Sequence, residues 1–475
     1  MSQSTLVPTP RTVAGACRAL IRHPGLPFAE HLPAEQIHQA FRQAGGVFRE
    51  RIFTPAVTLW TFLSQVLDAD HTCRQAVARL LAWRTAVGLP PCSADNGAYC
   101  KARGRLPEAM LADLTRQAGG GLLEKADEPW LWKGRRVKIV DGTGLSMPDT
   151  PANQKEYPQS KKIPAGVGFP LMRLVVVFSL AVGTVLDAAM GRFRGKGSGE
   201  LSLFRSILDA VLEAGDVLLG DRLYSDFWDV ARVKARGADV VLRLHAGRAP
   251  VRFRGRGHST ANRRVWWHKP QRPSWMSEAE YATYPEWLRL RAVRVTVRQR
   301  GFRTRRLVLV TTLLDARDVT LSDLAELYRR RWQAELYLRS LKTTLQMDIL
   351  RGQTPEMVRK EVWAHLLVYN VVRTLMAQAA RAAAVRPDEV SFTGALQTVN
   401  AFLPNLRSAR TAEEVRRLCL VLLGAIAQHR VGNRPDRYEP RAVKRRPKKF
   451  PRLKEPRAEA RRRLREGAKR AGKKR

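Results

Sequence analysis

Apolar residues recur at helical spacing from Thr54 to Leu67, with Pro55 placed where a first turn tolerates it. A second periodic run covers Thr72 to Ala86 and stops at the breaker Gly88-Leu89-Pro90-Pro91. The spacing predicts a helical region over residues 1–128. At Trp130 the pattern changes. Arg136 to Val140 reads as a short strand ending at Asp141-Gly142-Thr143. Leu171 to Leu180 is too β-branched for a helix, and Val182-Gly183-Thr184 turns it into Val185 to Met190, a hairpin. Ser202 to Ala214 is helical in period, Val217 to Gly220 is a buried strand ending at Asp221, and Ser225 to Arg236 is a helix before the strand Asp239 to Leu244. This order predicts an α/β sheet with helices packed over it.

From Arg243 to Arg306 the pattern shifts again. Seventeen Lys and Arg stand against 3 acidic residues, and Trp266, Trp267, Trp275 and Trp287 lie among them. Arg291 to Arg298 alternates apolar and basic residues, and Leu307 to Leu314 follows a turn, which suggests a β-rich insertion with one face for a polyanion. Helix returns after Asp318, where Thr320 and Asp323 have the form of a capping box, and runs to about Thr344. Further helices are expected from Pro355 to about Ala384 and on to about His429. Arg441 to Arg475 holds 18 Lys and Arg with 3 Glu and reads as a disordered basic arm.

Charge narrows the function. Across 475 residues, 84 Lys and Arg oppose 43 Asp and Glu, a formal net charge of +41. Such a chain repels itself unless a polyanion neutralises it, and nucleic acid does so with release of counterions. A membrane surface is the weaker partner, because no apolar run approaches ~20 residues and no secretory signal opens the chain. The five cysteines, Cys17, Cys73, Cys92, Cys100 and Cys419, form no C-x-x-C pair. A reducing, cytoplasmic setting fits, and a bound metal is expected on carboxylates rather than thiolates.

Asp141 and Asp221 each follow a buried strand, where carboxylates can face one another at a sheet edge. Oxygen ligands suit Mg²⁺ or Mn²⁺. An aspartate after a strand is also a common turn or cap residue, so neither decides the matter alone. The third element is the helix carrying Tyr328, Arg331, Glu335 and Lys342, whose spacing confines all four to an arc of about 60° on a regular helix. A carboxylate flanked by phenol, guanidinium and ammonium suits a phosphate beside a metal. The plainer alternative is a solvated helix with an Arg331–Glu335 ion pair. His245, His258, His268 and His365 show no ligand spacing, Asp149, Asp226 and Asp229 read as caps or solvated residues, and Gly195 to Gly199 lacks the P-loop pattern.

Tyr-x2-Arg-x3-Glu-x6-Lys, standing here as Tyr328, Arg331, Glu335 and Lys342, resembles the signature of the insertion-sequence-4 family of bacterial transposases, with no departure in spacing. Ile139 to Thr143 is similar to that family's first catalytic block, and Leu219 to Tyr224 to its second. The resemblance covers roughly Trp130 to Thr344. It implies a ribonuclease H-like catalytic core (residues 129–245 and 315–385) interrupted by the basic β-rich insertion (246–314). A helical N-terminal domain (1–128) that either grips DNA or caps the next domain, a helical C-terminal region suited to dimerisation (386–430) and a basic tail (431–475) complete the division.

The resemblance also implies catalytic, metal-binding Asp141, Asp221 and Glu335 holding two Mg²⁺ ions, with Mn²⁺ able to substitute. Tyr328, Arg331 and Lys342 would bind DNA phosphate, and one of the four insertion tryptophans would stack on a flipped base. The implied partners are double-stranded DNA, as terminal inverted repeats and as target, and a second copy of the chain. The implied setting is the bacterial nucleoid, and the activity is cut-and-paste transposition. A metal-dependent nuclease of the same fold and a catalytically inactive DNA-binding relative are the rival readings. The charge makes a direct prediction. The logarithm of DNA affinity should fall against the logarithm of salt with a slope of about −5 or steeper. Fluorescence anisotropy measures it, and a shallow slope would contradict phosphate-driven binding.

Overall fold

A β-branched hairpin anchors the sheet. β2 (Leu171–Ser179) and β3 (Val185–Arg192) pair antiparallel, and β1 (Val137–Ser146) pairs antiparallel with β2 along nine residues. Gly183 closes the hairpin at φ +73°, a left-handed conformation that favours glycine. The computed structural model describes residues 32–195, 197–245, 261–296, 306–409, 411–432 and 453–472.

β4 (Val217–Gly220) and β5 (Asp239–Arg243) continue the sheet in parallel from β1. The strands of the basic segment join the same sheet. β6 (Asn262–His268), β7 (Trp287–Thr296) and β8 (Arg306–Thr311) are antiparallel, with β8 against β5, giving the order β3-β2-β1-β4-β5-β8-β7-β6. This addition covers an edge of β5 that would otherwise expose unpaired backbone groups. β1 differs from expectation: pairing with β2 carries it through Asp141 to Ser146, although its buried stretch does end at Val140.

Helices pack on both faces. On one face lie Ile139, Leu219, Val241, Val293 and Leu309, covered by Leu324 and Leu327. On the other, Val140, Leu218 and Val240 share one apolar core with the N-terminal helices α1 (Ala34–Gln43), α2 (Pro55–Leu67) and α5 (Glu108–Glu124) and with the long α12 (Pro355–Ala382). Between them in the chain come α3 (Cys73–Ala86), α4 (Gly97–Arg105), α6 (Pro151–Glu156), α7 (Glu200–Val211), α8 (Phe227–Ala235), α9 (Glu278–Thr283), α10 (Leu321–Arg330) and α11 (Trp332–Arg339). After α12 come α13 (Phe392–Ser408) and α14 (Ala412–Gln428). The basic tail, expected to be disordered, contains a helix, α15 (Arg457–Gly472), for which its Ala, Arg, Leu, Glu and Lys content gives high intrinsic propensity. Residues 433–452 and 473–475 of that tail lie outside the described residues. Among the described residues no helix is long and apolar enough to cross a membrane.

One side chain joins α12, α5 and the hairpin. Buried Asn370 accepts from the Val185 amide at 2.8 Å and donates to Val185 O at 2.8 Å and Thr115 O at 2.9 Å. Gly119 permits this approach, since a Cβ there would lie 2.0 Å from Val185 O. Asn370→Ala leaves a buried amide without its acceptor and should destabilise the protein by about 2–4 kcal/mol in chemical denaturation. A loss under about 1 kcal/mol would contradict this role.

Candidate active site

Parallel pairing of β1 with β4 matches Val137, Lys138 and Ile139 to Val217, Leu218 and Leu219. Two residues further along each strand stand Asp141 and Asp221. Residues two apart share a face, and neighbouring strands lie about 4.8 Å apart, so register alone sets the two carboxylates side by side. Their face is the one that α10 covers. Asp141 Oδ1 accepts from the Gly142 amide at 2.9 Å. Asp221 Oδ1 accepts from the Leu223 amide at 2.7 Å and caps the short turn Arg222–Tyr224. The cap role considered for such an aspartate is thus realised at Asp221, together with its placement beside Asp141.

The helix bearing the other residues is not one regular helix. Thr320 and Asp323 form the expected capping box. At Arg331 the path tightens, with Arg331 N donating to Tyr328 O and Ala334 N to Arg331 O, and it then widens into a π-turn over Ser340–Thr344, closed by Leu345 N on Ser340 O at 2.9 Å. Insertions of this kind recur at functional sites because they re-aim side chains. Here the outcome concerns Lys342: its Nζ donates to Thr143 Oγ1 at 3.2 Å and to Gly144 O at 3.1 Å, tying the π-turn to β1 just past Asp141. Lys342 is therefore engaged with the strand.

Arg331 links the helix to the aspartates. Its Nη2 donates to Glu335 Oε1 at 2.8 Å, and its charge acts on the Tyr328 phenol. Burial opposes the charge on Arg331, yet Tyr328, Glu335 and Asp141 together hold its pKa above the ordinary value. Burial raises the Tyr328 phenol, with Arg331 acting against it. Asp141 is pushed up to about 6, first by burial and further by the charges of Asp221 and Glu335, while the Gly142 amide and Arg331 pull it down. The three carboxylates are thus electrostatic neighbours. Among the described residues, however, no three His, Cys, Asp or Glu side chains are gathered closely enough to share an ion. Glu335 is turned to Arg331 instead.

Two neighbours were not singled out from the sequence. Buried Tyr224 has a hydroxyl without a partner among the described residues, and the charges acting on it include Glu200, Asp141 and Asp221. Its place three residues after Asp221 was the available signal. Glu200, bonded to Arg173 at 3.1 Å, packs under Gly142, where a Cβ would lie 2.7 Å from its side chain. No pattern around Glu200 marks it.

The tryptophans separate. Trp267 is buried in the core, because strand alternation turns it inward from β6, so it is not available for stacking on a base. Trp275 carries the Arg205 guanidinium 4.4 Å from its ring centre. Trp266 and Trp287 are exposed on the outer strands, near Arg289 and His268 respectively.

Asp141, Asp221 and Glu335 are thus electrostatic neighbours on a chain of net charge +41. Residues 132–371, half of the chain, match the family model described as Transposase DDE domain, and the chain belongs to this family of DNA transposases. It is similar to transposase InsG of insertion sequence element IS4 from Escherichia coli K12, at 27% identity over 447 residues, 91% of this chain and 94% of that protein. The insertion-sequence-4 resemblance read from Tyr328 to Lys342 is therefore borne out. The transposase of insertion sequence element IS421 from Escherichia coli is 38% identical over 60 residues, 13% of this chain and 16% of that protein. Among solved structures, the piggyBac transposase synaptic complex with hairpin DNA is a distant likeness, with a TM-score of 0.42 and 10% identity over 86% of each chain.

The Asp141 carboxyl titrates near 6 when folded, against 3.8 ordinarily. A raised value means that its stability contribution is full below the unfolded value and is lost as pH rises through about 6. Asp141→Asn removes the charge. Without metal, the variant should therefore be more stable than wild type at pH 8, by on the order of 1–3 kcal/mol, with the gap closing toward pH 4. Thermal melts across pH read this directly, and a gap independent of pH would contradict it.

Proposed function

We propose that the chain performs cut-and-paste transposition, cleaving 3′ ends of its element and joining them to target DNA, with Asp141, Asp221 and Glu335 as the shared ligands of two Mg²⁺ ions. Mn²⁺ serves in their place. The observation that carries this is the β1–β4 register, in which Ile139 pairs with Leu219 two residues before Asp141 and Asp221, together with the charges of Asp221 and Glu335 acting on Asp141. The donor set is all oxygen. Asp141 is raised first by burial and further by Asp221 and Glu335, and among the described residues the Tyr224 hydroxyl beside it has no partner, both of which fit a hydrated cation. When bound, the cations neutralise charge at the scissile phosphate and favour in-line displacement.

The chain's own residues do the positioning. Glu335 would help hold the cations in place of its bond with Arg331, which would leave Arg331 able to donate to a phosphate oxygen. Tyr328 holds Arg331 in line from the preceding turn. Lys342 keeps β1 in place through Thr143 and Gly144, and reaches a phosphate only by giving up one of those bonds. The β3-β2-β1-β4-β5 order, antiparallel to β1 and parallel beyond it, supports a ribonuclease H-like core. Trp266 and Trp287 are the tryptophans exposed enough for base stacking without displacing Arg205. Two copies acting on paired terminal repeats complete the assembly, with the helices after Val385 as the contact.

A nuclease of the same fold would cut without joining, so joining is the test. Duplex ends already cut to free 3′-hydroxyls should be inserted into plasmid in Mg²⁺. Asp141→Ala and Glu335→Ala should each lower cleavage and joining by on the order of 10³-fold, equivalent to about 4 kcal/mol of barrier, with DNA affinity in EDTA retained. Cleavage without joining would leave the nuclease reading, and unchanged activity in either variant would refute the site.

A further inference from the structure

A second constellation lies at the outer end of the sheet, away from the carboxylates. A cavity of about 850 Å³ is lined by Asn262, Arg263, Arg264, Arg289, Arg291 and Arg317, together with the Leu314–Ala316 loop. Arg291 is 2% exposed. Its Nε donates to Asn262 Oδ1 at 2.9 Å, and its Nη1 to Val319 O at 2.6 Å and Asp315 O at 3.4 Å. All three acceptors are neutral. Among the described residues no carboxylate forms an ion pair with Arg291, and Asp315, the acidic residue of the cavity, is turned to the Arg317 amide at 2.8 Å and the Arg317 side chain at 3.7 Å.

Burial depresses the Arg291 guanidinium, the Asp315 charge opposes this without a direct ion pair, and a buried charge lacking such a pair is costly. Position 291 also shares a strand face with Val293 and Val295, which pack in the apolar cluster, so a hydrophobic residue would serve packing there. A structural strut joining β6 to the loop before α10 explains the bonds of Arg291. It does not explain why Arg264 and Arg289 converge on the same space, where like charges repel. An anion between them resolves both, and guanidinium groups bind phosphate oxygens in paired geometry.

We propose that this arginine-lined cavity binds a backbone phosphate of duplex DNA at a point separate from the cleavage site. The assignment of DNA rests on the transposition reading above. Geometry supports a shared duplex. Arg291 pairs with Thr311, Thr311 with Val241, Val241 with Leu219 and Leu219 with Ile139, so one row of the sheet connects the cavity to the strand of Asp141. Four strand spacings amount to about 19 Å. At about 3.4 Å per base pair, that is roughly six base pairs of one duplex. The exposed Arg317 stands at the mouth of the cavity.

The test uses the full chain in EDTA, where no cleavage occurs, with a fluorescein-labelled 30-base-pair duplex and, separately, inorganic phosphate at constant ionic strength. Arg264→Gln/Arg317→Gln alters the rim and leaves the Arg291 bonds intact, and Arg291→Met removes the buried cation. Each lost phosphate contact should make the salt slope of DNA binding shallower by about 0.9, with the melting temperature of the rim variant unchanged. Phosphate should raise the melting temperature of wild type and not of the variants. An unchanged slope in the folded rim variant would overturn the proposal. A phosphate effect with an unchanged slope would show a small-anion site and overturn the DNA assignment. Should Arg291→Met fail to fold, the rim variant decides. Asp141→Ala should keep the wild-type slope, so failure of the carboxylate reading and failure of this one are distinguishable.

Discussion

Three matched residues of parallel pairing between β1 and β4 carry the rest of the site. Because Ile139 lies against Leu219, the side chains two positions on meet on one face, and both are aspartates. Slipping the register by one residue would turn one carboxylate to the opposite face and dissolve the pair. Apolar burial on both sides prevents that slip: Ile139 and Leu219 sit in the cluster under α10, while Val140 and Leu218 sit in the large core shared with α12. Hydrophobic packing thus holds two polar residues together at the end of the buried stretch.

Holding like charges together has a cost, and the structure shows where it falls. Asp141 is raised by burial and by its acidic neighbours. Arg331 offsets part of this and keeps Glu335 through a direct bond. The tightened turn at Arg331 and the π-turn at Ser340–Thr344 aim Arg331 and Lys342 differently, one toward the carboxylates and the other onto β1. Arg331 acts as counter-ion to Glu335 and Asp141 in the metal-free protein, and would be available to a phosphate if Glu335 held a cation.

Much of this was legible in the sequence, and the gaps have physical causes. Buried strands such as Val217–Gly220 and the hairpin around Gly183 announce themselves through β-branched runs and a left-handed glycine. The spacing of Tyr328, Arg331, Glu335 and Lys342 marked the helical segment whose Arg331 and Glu335 charges act on Asp141. It did not reveal the π-turn, since periodicity assumes a regular 3.6-residue helix and a widened turn leaves no compositional mark. Trp267 could not be separated from Trp266 by composition, because which of two adjacent residues points inward depends on the register of β6 against β7. Glu200 and Arg291 become noticeable only when distant segments fold against Gly142 and Val319. The basic tail was read from its charge alone, although its alanines, leucine and glutamates favour the helix Arg457–Gly472.

The central claim is that three carboxylates from separate segments close on shared cations. Anomalous diffraction from Mn²⁺-loaded crystals of the protein with a cut duplex end tests it most directly. Two anomalous peaks roughly 3.5–4 Å apart are expected among Asp141, Asp221 and Glu335, with Glu335 released from Arg331. Peaks elsewhere, or a loaded complex in which Glu335 still binds Arg331 and contacts no metal, would contradict it.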